Sequence, residues 1–289
     1  MAQTINTNLV SLNAQRNLSS SQSALATSMQ RLSSGLRVNG AKDDAAGLAI
    51  AERMNAQVRG MNVATRNAND AISLAQTAEG ALGKVGDIFQ RMRELAVQSA
   101  NGTNSDADRT SLNEEFVQLA QEATRTLAGT QFNGQNILAT TNAATFQIGA
   151  NTDTSINQIS VTAFTWTAAA GVTDVLGTAI LTGAGVPTLQ ISGTDGAAAL
   201  TALTSLDTAI NTINSQRGTF GAVQNRFENV IATLMVGTEN QNAARSRIMD
   251  ADYAAETANL SRASILQQAG NAMVAQANQL PQQVLALLR

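Results

Sequence analysis

Along much of this chain, hydrophobic side chains recur at alternating three- and four-residue steps. In the C-terminal half, Leu203, Leu206, Ile210, Ile213, Phe220, Phe227, Ile231 and Leu234 hold that spacing, and Arg217 and Gln224 alone interrupt it. A heptad pattern sustained this far predicts a long helix packed as in a coiled coil. Gly218 and Gly221 weaken it locally without ending it. A matching seam runs through Ala68, Ala71, Ala75, Ala78, Leu82, Val85, Phe89, Met92 and Ala96, whose alanines let a partner helix approach closely. A third helix is predicted over 105–128. Ser105, Asp106 and Asp108 supply capping and dipole-matching groups at its start, and Leu112, Phe116, Leu119, Ala123 and Leu127 form its apolar face. Three such helices can bundle antiparallel.

The two ends carry stripes of their own. Near the start these are Ile5, Leu9, Leu12, Leu18, Leu25, Met29, Leu32 and Leu36. Near the end, Leu266, Met273, Leu280 and Leu287 recur every seventh residue, with Ala263, Ala277 and Val284 as a second seam. Each stripe predicts a helix roughly 45–60 Å long. Neither can bury its own face, so pairing the two termini is the economical arrangement. The opposite faces are nearly uncharged: residues 1–40 carry only Arg16, Arg31 and Arg37 as charged side chains. Solvated surface helices normally carry many Lys and Glu residues. A neutral Ser/Asn/Gln face can pack among copies of itself without desolvating charges, which favours assembly over a lone monomer.

The middle follows another rule. From about 139 to 196 the chain is rich in Thr, Ala and Gly, and its only charges are Asp153, Asp174 and Asp195. Thr145-Phe146-Gln147-Ile148 and Gln158-Ile159-Ser160-Val161 alternate as strands do. Phe132-Asn133-Gly134 and Gly149-Ala150-Asn151 have turn chemistry. This predicts a small β element between helical halves. Proline occurs only at Pro187 and Pro281, which permits long helices on both sides.

Composition narrows the chemistry. The 289 residues include no histidine and no cysteine. That removes the usual neutral-pH base, the commonest metal ligand, the thiolate nucleophile and any disulfide. A carboxylate-based hydrolase is the remaining enzymatic rival, and no convergent acid pair or phosphate-cradling loop supports it. Asp106-Ala107-Asp108 lacks the twelve-residue calcium-loop grammar and reads as a helix cap, and Asp43-Asp44 adjoins a helix start where carboxylates are favoured. No catalytic, cofactor or metal residue is assigned. The net charge of -3, with lysines only at Lys42 and Lys84, gives no nucleic-acid footprint. No apolar run reaches the ~20 residues of a membrane span. The start, Met1 to Asn6, lacks the charged and apolar regions of a cleaved signal, so if the protein leaves the cell it is expected not to use a standard cleaved signal.

Several ordered motifs resemble bacterial flagellin. They are Ile5-Asn6-Thr7-Asn8, Arg31-Leu32-Ser33-Ser34-Gly35-Leu36-Arg37, Ala41-Lys42-Asp43-Asp44-Ala45-Ala46-Gly47-Leu48, Arg93 to Asn101, and Gln131-Phe132-Asn133-Gly134. At the far end Ala244-Arg245-Ser246-Arg247-Ile248, Asp250-Ala251-Asp252-Tyr253, Ile265 to Gly270 and the closing Leu287-Leu288-Arg289 match as well. The resemblance covers about residues 1–140 and 200–289.

It implies a mainly α fold: long terminal helices paired as a coiled coil, then an antiparallel helix bundle with a β-hairpin, and a small β-rich middle. On that pattern residues 1–43 and 250–289 form the inner filament core. Residues 44–165 and 197–249 form the bundle, and 166–196 a short variable segment whose outer domain is vestigial or absent. The implied role is a non-enzymatic, secreted subunit that polymerises into the extracellular flagellar filament used for motility. Implied partners are further copies of the chain, an export chaperone, the flagellar type III export apparatus, the filament cap and hook-junction proteins. The family also implies recognition by a host toll-like receptor through Arg91, Leu95 and Glu115. A flagellin-like hook–filament junction protein and a soluble coiled-coil adhesin or adaptor are the alternatives.

Overall fold

The computed structural model describes residues 8–138, 143–161, 164–166, 169, 171–176 and 189–287, with side chains described as far as Gln279. The chain divides into two compact units, Met1–Val58 with Glu239–Arg289, and Arg59–Thr238. In chain order the elements are α1 (Leu9–Ser34), α2 (Ala45–Ser99), α3 (Asp106–Gly129), β1 (Gln131–Phe132), β2 (Gln135–Asn136), β3 (Ala144–Gln147), α4 (Thr154–Asn157), β4 (Gln158–Val161), α5 (Val172–Leu176), α6 (Ala197–Met249) and α7 (Tyr253–Leu287). The division falls inside α2 and α6, so each of these helices contributes to both units.

The unit of residues 59–238 is built around one aliphatic and aromatic core. Every residue of the α2 seam from Ala68 to Ala96 is fully buried. On α6, Leu206, Ile213, Phe220 and Phe227, seven apart, are buried, and Leu203, Ile210 and Ile231 pack half-buried against the same core. Leu234, the last position of that predicted seam, is also half-buried. Polar contacts fix the antiparallel alignment: Arg93 pairs with Asp207 at 2.6 Å, and Gln224 donates to Glu79 at 2.9 Å.

α3 begins where its cap is strongest. Ser105 and Asp108 form a reciprocal capping box, the arrangement that satisfies two orphan N–H groups of a helix start. Phe116, Ala120, Ala123, Thr124 and Leu127 are its buried face. Arg109 is also buried, donating to the carbonyls of Gly193 at 2.9 Å and Asn101 at 3.3 Å. With Ser99 bonded to the Ile191 carbonyl at 2.5 Å, it ties the chain just before α6 onto the α2–α3 turn.

Both predicted β features form. β1 and β2 pair antiparallel around Asn133 (φ 50°) and Gly134 (φ 76°). Two successive positive φ angles are what a tight primed turn demands, and Asn-Gly meets that demand at least strain. β3 and β4 pair antiparallel in the register Ala144↔Val161 to Gln147↔Gln158. Asn67 of α2 donates to the Gln147 carbonyl at 2.9 Å, and Phe146 meets Phe227 edge-on with ring centroids 5.8 Å apart. The helical and β parts thus share a core, which also takes in Trp166, Val172, Val175, Leu176 and Ile191.

Candidate assembly surface

The unit formed by residues 1–58 and 239–289 is organised around α1 and α7, which run antiparallel. Asn8 donates to the Ala277 carbonyl at 2.7 Å, Ser11 to Asn278 at 2.8 Å, and Arg31 pairs with Glu256 at 3.9 Å. Where α1 ends, Gly35 adopts the left-handed cap conformation, and its carbonyl accepts from Ala251 N at 2.9 Å. Leu36 bridges Asp250, and a small cluster of Val38, Ala51 and Met249 closes this end. Asp252 caps α7 by accepting from Ala254 N and Ala255 N, and Asp44 accepts from Gly47 N in the first turn of α2. Asp44 and Asp252 are therefore used as caps.

What lines the α1–α7 seam departs from the leucine stripes expected from sequence. On α1, the seam positions, buried or half-buried, include Ser11, Ala14, Leu18, Ser21, Leu25, Ser28, Arg31 and Leu32. On α7 they include Glu256, Leu260, Ala263, Gln267, Gly270, Val274 and Ala277. Apart from Arg31, these alternate by threes and fours, a heptad seam built mostly of small or polar residues. Only Leu18, Leu25 and Leu32 of the predicted N-terminal stripe belong to it, with Leu36 half-buried just beyond. Gly270 shows how close the helices run: a Cβ there would lie 3.2 Å from Leu18 Cδ1, so Leu18 must give by a few tenths of an ångström to admit one.

The remaining stripe residues face outward, a correction to their predicted place between the helices. Leu9 is 66% exposed, Met273 60%, Met29 58%, Leu266 51% and Leu12 50%, and Val10 and Ile265 join them. The cause is physical. Small side chains between the seam leucines let the backbones approach, so the register that interleaves Ser, Ala and Gly with Leu18, Leu25 and Leu32 is the one that pairs, and the other bulky residues lie on the flanks. Treating Ser and Gly as seam-formers would have revealed this register in the sequence. Ile5 lies outside the described residues, as do the side chains of Leu280, Val284 and Leu287.

The three positions implied for receptor recognition separate. Arg91 and Glu115 are exposed and joined by Arg91 Nη2 and Nε to Glu115 Oε1 at 2.9 and 3.1 Å, and Arg91 Nη1 also reaches Glu94. Hydrogen bonds to Glu94 and Glu115 raise the already high guanidinium pKa. Leu95, by contrast, is buried at 1% exposure in the core and presents no surface. Among the described residues no group of three or more potential metal ligands occurs, and no helix is long and apolar enough to cross a membrane.

Comparison with known proteins agrees with this architecture. A family model for the bacterial flagellin N-terminal helical region matches residues 5–143, and one for the C-terminal helical region matches residues 203–288. A flagellin of Halalkalibacterium halodurans is 46% identical over 286 residues, covering 99% of both chains. A flagellin of Bacillus subtilis is 45% identical over 306 aligned positions, again covering 99% of both. A Vibrio parahaemolyticus structure described as a flagellar hook-associated protein aligns over 72% of this chain and all of its own with a TM-score of 0.59, at 11% identity, a likeness of fold alone. The chain therefore belongs to the bacterial flagellins, structural rather than enzymatic proteins that build the extracellular flagellar filament.

Proposed function

We propose that the outward stripe of α1 and α7 is the surface by which one copy of the chain packs on others in the filament core. The observation carrying this reading is that Leu9, Leu12, Met29, Leu266 and Met273 stay half or more exposed. Burying apolar area drives association, and a head-to-tail contact that does not close into a ring propagates as a helical filament. Residues 1–43 and 250–289 are the inner layer in this proposal, and the bundle of 44–165 and 197–249 the layer outside it.

The same reading includes export through the flagellar type III apparatus, an export chaperone on the C-terminal region, and contacts with the cap and hook-junction proteins. The nearly uncharged faces of residues 1–40 support passage through a wet channel. Recognition by a host toll-like receptor is proposed for the exposed Arg91–Glu115 pair, with Leu95 supporting the helix from within.

The test is a Leu266→Gln/Met273→Gln double variant, added to seeds of the parent filament and followed by sedimentation and negative-stain microscopy. Its unfolding should stay within about 0.5 kcal/mol of the parent, as for surface changes, while elongation falls at least about tenfold. Elongation at the parental rate would remove the stripe from the assembly contact.

A further inference from the structure

The α1–α7 seam is internally degenerate. Leu18, Leu25 and Leu32 follow one another at seven residues, and Ser21 and Ser28 do the same. Sliding α1 by one heptad, about 10.5 Å, therefore replaces like with like along most of its length. Two contacts near the ends break that equivalence. Glu256 is the one buried carboxylate among the described residues, and it sits at a seam position beside Arg31. At the opposite end Pro281 lies inside α7, where it has no N–H to give to the carbonyl of Ala277. Asn8 takes that carbonyl at 2.7 Å, while its own side-chain oxygen caps α1 by accepting from Ser11 N at 3.1 Å.

We infer that Arg31–Glu256 and Asn8–Ala277, the latter made available by Pro281, are end locks that set the register of the terminal helix pair. A slide in one direction would set Leu25 against Glu256 and Asn8 against carbonyls already bonded within α7. A slide in the other would carry Glu256 beyond the end of α1. A buried charge without its partner is strongly unfavourable, and a buried polar or charged group at one seam position is a recognised device for fixing register. The backbone tether at Gly35 and Ala251 holds the chains together beside one lock. The inference is that the tether alone does not decide the register. It deepens the assembly reading, because a slip displaces Leu9 and Leu12 relative to Leu266 and Met273 by the same distance.

The chain has no cysteine, so engineered pairs report cleanly. A Cβ at Gly270 would lie 3.6 Å from Leu18 Cβ, within disulfide range, so Leu18→Cys/Gly270→Cys reads the native register. Leu25→Cys/Gly270→Cys and Ser11→Cys/Gly270→Cys read slips of one heptad in either direction. Cross-linking is measured on the full chain, both in solution and in sedimented polymer. In the parent only the native pair should oxidise. With Glu256→Leu and Pro281→Ala together, the ratio of slipped to native cross-link should rise about tenfold or more, with each single change giving less. The reversed pair Arg31→Glu/Glu256→Arg should return the ratio to the parental value. An unchanged ratio in the Glu256→Leu/Pro281→Ala chain overturns the inference and assigns register to the tether. If Arg31→Met abolishes all cross-links, the reversed pair decides: native cross-linking supports the lock, and none overturns it. A variant that cross-links natively yet fails to elongate bears on the outward stripe instead.

Discussion

The two helix seams of this protein use one spacing and opposite materials. Between α2 and α6 the repeating positions hold Phe89, Met92, Leu206, Ile213, Phe220 and Phe227, all buried. Between α1 and α7 they hold Ser11, Ser21, Ser28, Ala263, Gly270 and Ala277. The first seam puts its bulk inside, in the core of the bundle. The second alternates small or polar residues with Leu18, Leu25 and Leu32, brings two backbones close at Gly270, and leaves Leu9, Leu12, Met29, Leu266 and Met273 on the flanks. Heptad spacing thus says which residues meet only after the size of each side chain has been weighed, because small residues compete for the seam by permitting closer approach.

The largest expected effect tests that contrast directly. Phe89→Ala should cost about 3–5 kcal/mol, since it removes a fully buried ring and leaves a cavity in the core. Leu25→Ala, in the half-buried seam, should cost under about 2 kcal/mol, because the site already borders solvent. Denaturant unfolding of both variants gives the comparison, and equal losses would break it.

Overpacking reverses the roles. Gly270→Leu should cost the terminal pair about 1–3 kcal/mol, as Leu18 stands where the new side chain must go. Amide exchange along α1 and α7 should accelerate, while protection of Phe89 and its neighbours in the bundle stays unchanged. Protection lost equally in both units would mean that they unfold as one, and the contrast between them would then have no energetic content.

The elements legible from sequence were those in which bulky residues carry the period. The α2 and α6 seams, the apolar face of α3 and the β3–β4 pair follow from such side chains, and the β1–β2 turn from Asn133-Gly134. The terminal seam was legible only in part: Leu18, Leu25, Leu32, Ala263 and Ala277 stand out as seam positions, whereas Ser11, Ser21, Ser28 and Gly270 carry no hydrophobic signal although their spacing is as regular. α2 starts at Ala45, well before the predicted seam of Ala68 to Ala96, since its first turn relies on Asp44 as a cap. Pro281 reads as a helix breaker, yet the helix continues through it. The carbonyl it leaves unbonded is taken by Asn8, 269 positions away in the chain, which no local pattern reveals. Arg109 was likewise invisible, because its acceptors are backbone carbonyls rather than a carboxylate of readable spacing.

Acid should separate the cap of α3 from the cap of α1 by the smallest effect of all. The hydroxyl of Ser105, at 2.6 Å, and then its backbone N–H, at 3.0 Å, donate to the Asp108 carboxylate and hold its pKa below the ordinary aspartate value. A depressed carboxylate stabilises the fold above its unfolded pKa of about 3.9, and that contribution fades as the pH falls through the lower folded value. The cap of α1 uses the neutral amide of Asn8, which does not titrate in this range. In a series of melting curves, the parent should therefore exceed Asp108→Asn by a constant small margin above about pH 5, with the gap closing below about pH 4. An Asn8→Ala margin measured on the helix content of the terminal pair should instead show no such closure. If the Asp108 margin were flat to the acid limit, the box would be acting through geometry alone, and the charge at the start of α3 would contribute nothing to the difference between the units.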